Sequence, residues 1–115
     1  MKRLIFVGLM TGLVSSGYAN EGEVLVKSHG CMSCHRIETK AVGPALKDIA
    51  RVYSNDPKSK IRLIESIKKG SKGKWGVIPM PPQHKVNDKD AETIYKWIIQ
   101  LSQRSIEERM GVGSC

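Results

Sequence analysis

Cys31-Met32-Ser33-Cys34-His35 sets two thiols three positions apart, with an imidazole directly after the second. One turn of chain brings both thiols to one edge of a porphyrin, where each can add to a vinyl group. The adjacent imidazole is then held under the iron as an axial ligand. The alternatives for the two cysteines are weaker in context. Structural zinc wants a second Cys or His pair, and the remaining Cys115 stands far off at the other end of the chain. A thioredoxin-like redox pair wants a βαβ setting, and no strand pattern is visible. A plain disulfide has no use for the histidine.

A haem iron bound by His35 needs a second axial donor or stays open on that side. The segment Ile78-Pro79-Met80-Pro81-Pro82 offers Met80. A thioether is a soft, neutral ligand that favours the reduced iron and raises its potential. Prolines on both sides lower the chain entropy that must be lost to hold it. His84 is a competing donor four residues on, and reads better as a solvent-facing loop histidine. His29 reads as a surface residue at the end of the first helix.

The elements that must position these groups are helical. Residues 21–29 read as a short first helix, stopped by Gly30. Residues 36–43 form a loop. Pro44 sits near the first turn of a second helix carrying Leu46, Ile49, Ala50 and Tyr53 on one side. Asp56-Pro57 predicts the start of a third helix, whose Ile61, Leu63, Ile64 and Ile67 form a buried face and which Gly70 ends. Residues 70–86 are rich in Gly and Pro and form a long loop, with Trp75, Val77, Ile78 and Met80 packing on something apolar. Asn87, followed three residues later by Asp90, caps a last helix from Asp88 to about Gln103 with Ile94, Trp97, Ile98 and Leu101 on one side. Residues 104–115 read as a weakly ordered tail.

Composition narrows the function. Lys2 and Arg3, the apolar stretch Leu4 to Val14 and the small residues of Gly17-Tyr18-Ala19 read as a secretory signal, cleaved after Ala19. That stretch is short for a membrane span, so no stable membrane insertion is expected. Loss of Lys2 and Arg3 takes the formal net charge from +8 to +6. Export argues against nucleic acid as the partner of that charge and for an acidic protein or an anionic membrane surface. The only Phe, Phe6, lies in the signal, leaving Trp75, Trp97, Tyr53 and Tyr95 as the aromatic residues of the mature chain. A domain this small struggles to bury enough apolar surface, and a porphyrin would supply the missing mass. Cys115 would remain as a lone thiol or an intermolecular link.

Together these residues resemble the class I cytochromes c, most closely the short bacterial c-551 type. The resemblance runs from about Glu23 to Gln103. It is carried by the cysteine motif, by Val42-Gly43-Pro44-Ala45, by Lys96-Trp97, and most specifically by the run Trp75-Gly76-Val77-Ile78-Pro79-Met80-Pro81-Pro82. It implies an all-α fold of four to five short helices wrapped around one covalently attached haem c. It implies thioethers at Cys31 and Cys34 and axial ligation by His35 and Met80. The Pro44 carbonyl would accept the His35 ring proton, the Trp75 indole would donate to a haem propionate, and Leu46, Ile67 and Ile78 would line the pocket. Two positions depart from the pattern: Ser66 stands where a basic residue often lies near a propionate, and Gln83 where an Asn often approaches the Met sulfur.

The domain plan expected is a signal over 1–19, a monohaem domain over 20–103 and a tail over 104–115. The function implied is a soluble periplasmic shuttle of single electrons, not an enzyme, docking on redox proteins with acidic surfaces such as an oxidase, a nitrite reductase or a peroxidase. Lys68, Lys69, Lys72 and Lys74 crowd before Trp75, with Lys85 after the loop, and could steer such encounters. The alternatives are a haem-based gas sensor, in which Met80 detaches, and a haem subunit of a fixed enzyme complex.

Overall fold

The computed structural model describes residues 18–111, together with the isolated positions 8 and 12. The expected signal over 1–19, apart from positions 8 and 12 and its last two residues, and Cys115 therefore lie outside the described residues. Four α-helices are present among them: α1 (Tyr18–Ser28), α2 (Leu46–Tyr53), α3 (Ser59–Lys69) and α4 (Asp88–Arg109), with a short 3-10 turn at Cys31–Ser33. No strand forms among the described residues, only an isolated antiparallel bridge between Ser71 and Met80. No helix among them is long and apolar enough to cross a membrane.

The long last helix is the spine. Ala91, Ile94, Trp97, Ile98 and Leu101 are buried along it, and α1, α2 and α3 all pack against it. The crossing with α1 is very close: a side chain at Gly22 would start 2.2 Å from the Trp97 Cβ. Glycine there lets the α1 backbone lie directly on the tryptophan. Among the described residues the buried Trp97 indole nitrogen has no hydrogen-bond partner, so the contact with Gly22 rests on packing.

The helix starts depart from the sequence expectation in instructive ways. Pro44 does not enter α2; Ala45 is the extended N-cap and the helix begins at Leu46. Its first two amide groups are satisfied from outside, by the carbonyls of Arg36 at 2.9 Å and Ile37 at 3.1 Å. Such orphan donors need partners, and here they tie the segment after His35 to the helix. Four residues of α2 in an i, i+3, i+4, i+7 pattern (Leu46, Ile49, Ala50, Tyr53) are buried, as their spacing predicts.

In α3 the helix starts two residues later than Pro57. Asp56 instead closes a turn, accepting from the Lys58 amide at 2.8 Å through its side chain and from Ser59 at 3.0 Å through its carbonyl. Ile61 is 71% exposed, whereas Leu63 and Ile67 are buried. At about 100° per residue, position 61 has rotated away from the face that 63 and 67 share. Gly70 ends α3 with φ 80°, as expected. Asn87 caps α4 by accepting from the Asp90 amide at 2.8 Å. That helix runs on to Arg109 and so absorbs half of the expected tail.

Candidate haem site

The four helices leave an apolar cleft of about 220 Å³. Cys31, Cys34, His35 and Met80 all line it, with Leu46, Ile49, Ile67, Ile94 and Ile98 supplying much of the wall. Two chain segments thus bring the four candidate groups to one space: the turn after α1 and the loop between α3 and α4.

The turn after α1 is held hard. Gly30, with φ 74°, lets the chain leave α1 and enter the 3-10 turn. The His35 amide bonds the Cys31 carbonyl at 3.0 Å, which folds both cysteines and the histidine into one turn. The His35 ring is only 8% exposed. Its Nδ1–H donates to the Pro44 carbonyl at 2.8 Å, so Nε2 keeps its lone pair. Pro44 is therefore important through its oxygen rather than as a helix starter. Gly43 presses on the same ring: a Cβ there would lie 2.7 Å from Cε1 and 2.9 Å from Nδ1. The sequence offered Gly43-Pro44 as the opening of the second helix, and only the folded chain shows that the glycine is a seat for the imidazole.

Cys31 is half-buried and Cys34 exposed, and neither is in a disulfide. Burial pushes the Cys31 thiol up, only partly offset by a backbone hydrogen bond. Among the described residues there is no cluster of three or more His, Cys, Asp or Glu that could hold a bare metal ion.

The Met80 loop is held differently. Met80 exchanges both backbone hydrogen bonds with Ser71, at 2.8 and 3.1 Å. The Gln83 amide bonds the Ile67 carbonyl at 2.9 Å, fastening the far end of the loop to α3. Gly70 makes the start possible, since a Cβ there would lie 2.5 Å from the Met80 carbonyl oxygen. Met80 and Trp75 are half-buried, and both line the cleft. The Gln83 side-chain amide donates to the Pro81 carbonyl at 2.9 Å. His84 is exposed and does not line the cleft.

His29 is not the free surface residue its position suggested. Its Nε2 lies 3.2 Å from the Asp90 carboxylate, half-buried, and joins the end of α1 to the first turn of α4. The lysine cluster also changes. Lys68 pairs with Asp88, and Lys69 pairs with Glu65 at 2.9 Å. The cations that line the cleft are Lys40, Lys72 and Lys74.

An apolar cleft edged by two thiols, an imidazole Nε2 and a thioether fits a haem: soft and nitrogen donors for the iron, thiols for the vinyls and hydrocarbon walls for the ring. The comparisons agree. The family model described as cytochrome c matches residues 19–102. Cytochrome c-552 of Nitrosomonas europaea is 46% identical over 91 residues, 79% of this chain and 88% of the relative. Cytochrome c-551 of Pseudomonas aeruginosa is 46% identical over 98 residues, 84% of this chain and 91% of the relative. The crystal structure of the wild-type Nitrosomonas europaea cytochrome c552 superposes with a TM-score of 0.67 at 48% identity, covering 69% of this chain and 98% of that one. With the cleft, the cysteine motif and these relatives in agreement, the chain belongs to the cytochrome c family, as a class I member of the c-551 type that carries one covalently attached haem c for electron transport.

Proposed function

We propose that this chain is a periplasmic carrier of single electrons, and not an enzyme, whose haem iron is closed on one axial side by His35 and on the other by Met80. Cys31 and Cys34 form the thioethers, the Pro44 carbonyl orients the His35 ring, and the Trp75 indole donates to a propionate. The observation that carries this reading is the convergence of His35 and Met80, from separate segments, on one apolar cleft. When bound, the haem supplies a one-electron couple between ferrous and ferric iron.

The chain's own contribution is rigidity and exclusion. The Pro44 bond fixes the imidazole tautomer and raises its basicity as a donor. The Ser71 bridge and the flanking prolines hold Met80 without help from its side chain. Both side chains are thus held in place by the chain itself, and a haem bound by both would offer no open position to a substrate. The leader expected over 1–19 supports export to the periplasm.

Encounter with partners is steered by fewer charges than the sequence suggests. Lys68 and Lys69 are internally paired, so Lys40 and Lys72 at the cleft form the positive rim that meets an acidic surface on an oxidase, a nitrite reductase or a peroxidase. Changing Lys72 together with Lys40 should flatten the fall of the reaction rate with salt, while changing Lys68 and Lys69 should leave it.

An optical and redox titration of the purified protein tests the core. The expected result is a c-type spectrum with the weak far-red band of Met-to-ferric-iron ligation, at a positive potential. In Met80→Ala the haem should stay attached, the band should vanish and the potential should fall. A wild-type protein without covalent haem overturns the reading. Carbon monoxide binding readily to the reduced wild type would favour the sensor alternative.

A further inference from the structure

Lys74 stands apart from the other cations near the cleft. Its ammonium lies 4.0 Å from the centre of the Tyr53 ring. Tyr53 is 3% exposed, and its ring helps wall the cleft. A cation held on a largely desolvated aromatic face is restrained. No carboxylate among the described residues pairs with Lys74. Its charge is therefore fixed in place yet uncompensated.

The surroundings show why this matters. A second, more open cleft adjoins the first, and Tyr53, Ser66 and Lys74 line both. Its other charged neighbours come from α3 and are already engaged. Arg62 pairs with Asp56 at 3.0 Å, and Lys69 pairs with Glu65 at 2.9 Å. Ser66 offers no charge, and its hydroxyl is turned back onto the Arg62 carbonyl at 2.9 Å. Lys72 lies on the same loop as Lys74, but among the described residues no aromatic ring lies beneath it. Lys40 lines the cleft from the segment that follows the cysteines, and no aromatic ring among the described residues holds it. A protohaem-derived group carries its vinyl-derived arms and its two propionates on opposite edges. The propionate edge therefore needs a counter-charge away from Cys31 and Cys34.

We propose that Lys74, docked on the Tyr53 ring, is the counter-charge to a haem propionate, supplied from the loop because α3 presents only Ser66. It is a positioning and potential-setting residue, and the inference rests on the haem reading given above. A fixed positive charge near the propionate favours the ferrous state and keeps that carboxyl ionised to lower pH.

The test uses the holoprotein and the substitutions Lys74→Gln, Lys74→Arg and, as a control of equal charge change on the same loop, Lys72→Gln. Midpoint potentials are measured by optical titration from acid to alkaline pH, with haem attachment and the far-red band recorded for each variant. In Lys74→Gln the neutral-pH potential should fall further than in Lys72→Gln. Its acid-side inflection should move up by about one pH unit, the usual effect of removing a close opposite charge. Lys74→Arg, which keeps both the charge and the ring contact, should restore wild-type behaviour. If Lys74→Gln and Lys72→Gln have the same potential and the same inflection, with haem attached and the far-red band present, the proposal is overturned and the His35/Met80 reading survives. A wild type lacking covalent haem overturns both.

Discussion

The two segments that offer axial donors are built on opposite plans. On the histidine side, the turn from Gly30 to Ala45 is woven into the body: His35 is buried, Gly43 touches its ring, Pro44 accepts its proton, and two carbonyls of the same segment cap α2. On the methionine side, the loop is fastened at its ends and, between them, by Lys74 on Tyr53 and by the half-buried Trp75, while the stretch just before Met80 is free. Ser71 and Ile67 hold it by backbone bonds, while Val77 is 98% exposed and Ile78 is 62% exposed. One side is clamped by packing, the other tethered by a short bridge and stiffened by prolines. The difference teaches where ligation should fail first: the Met80 contact loosens while the histidine turn is still native.

The sharpest way to break that comparison is Gly43→Val. The new side chain must enter space within 3 Å of the imidazole, so the ring or the Pro44 segment has to move. A loss of about 3 kcal/mol is expected, the upper range for overpacking. Denaturant unfolding, followed by the helical signal and by the haem absorbance that persists after the far-red band is lost, should show the histidine turn and the global fold failing together. A separate earlier transition would contradict the clamp.

Gly70→Ala attacks the tether. Its φ of 80° is strained for alanine, and the Cβ would meet the Met80 carbonyl oxygen at 2.5 Å. About 2 kcal/mol is expected, the cost of a backbone held in a sparsely populated region. Here the far-red band should fade at lower denaturant than the loss of helical signal. Coincident loss of the two would mean that the two sides are equally coupled to the core.

The smallest effect is reserved for the exposed part of the loop. Val77→Ser should change stability by less than about 0.5 kcal/mol, because Val77 buries almost nothing within the chain. A larger loss in a melting experiment would show that the loop middle is packed on the haem and that the methionine side is less free than described.

How legible each side was follows from the range of its interactions. The cysteine motif, the Met80 run and the apolar stripe of α2 use neighbours within a few residues, so spacing reveals them. Ile61 misled because three-residue steps drift around a helix, so an apolar run of isoleucines overstates the buried face. The stretch after Gln103 was expected to be weakly ordered for its final glycines, yet Ser105 to Arg109 lack helix breakers and simply continue α4. The pairing of His29 with Asp90 joins positions 61 apart in sequence, and nothing local announces it.

The sequence by itself determined the cofactor: one covalently attached haem c, marked by two thiols and an imidazole in one turn, with Met80 in a proline-stiffened run offered as the proposed second ligand. It also located the four helices, though not all of their ends, because turn residues and periodicity act locally. Only the tertiary structure decided that Gly43 seats the His35 ring and that the Pro44 carbonyl points at Nδ1. It alone separated the lysines into those paired on α3 and the one held unpaired on Tyr53. Residue type sets what a group can do, but contact distance and compensation of charge depend on partners that the chain brings together only when it folds.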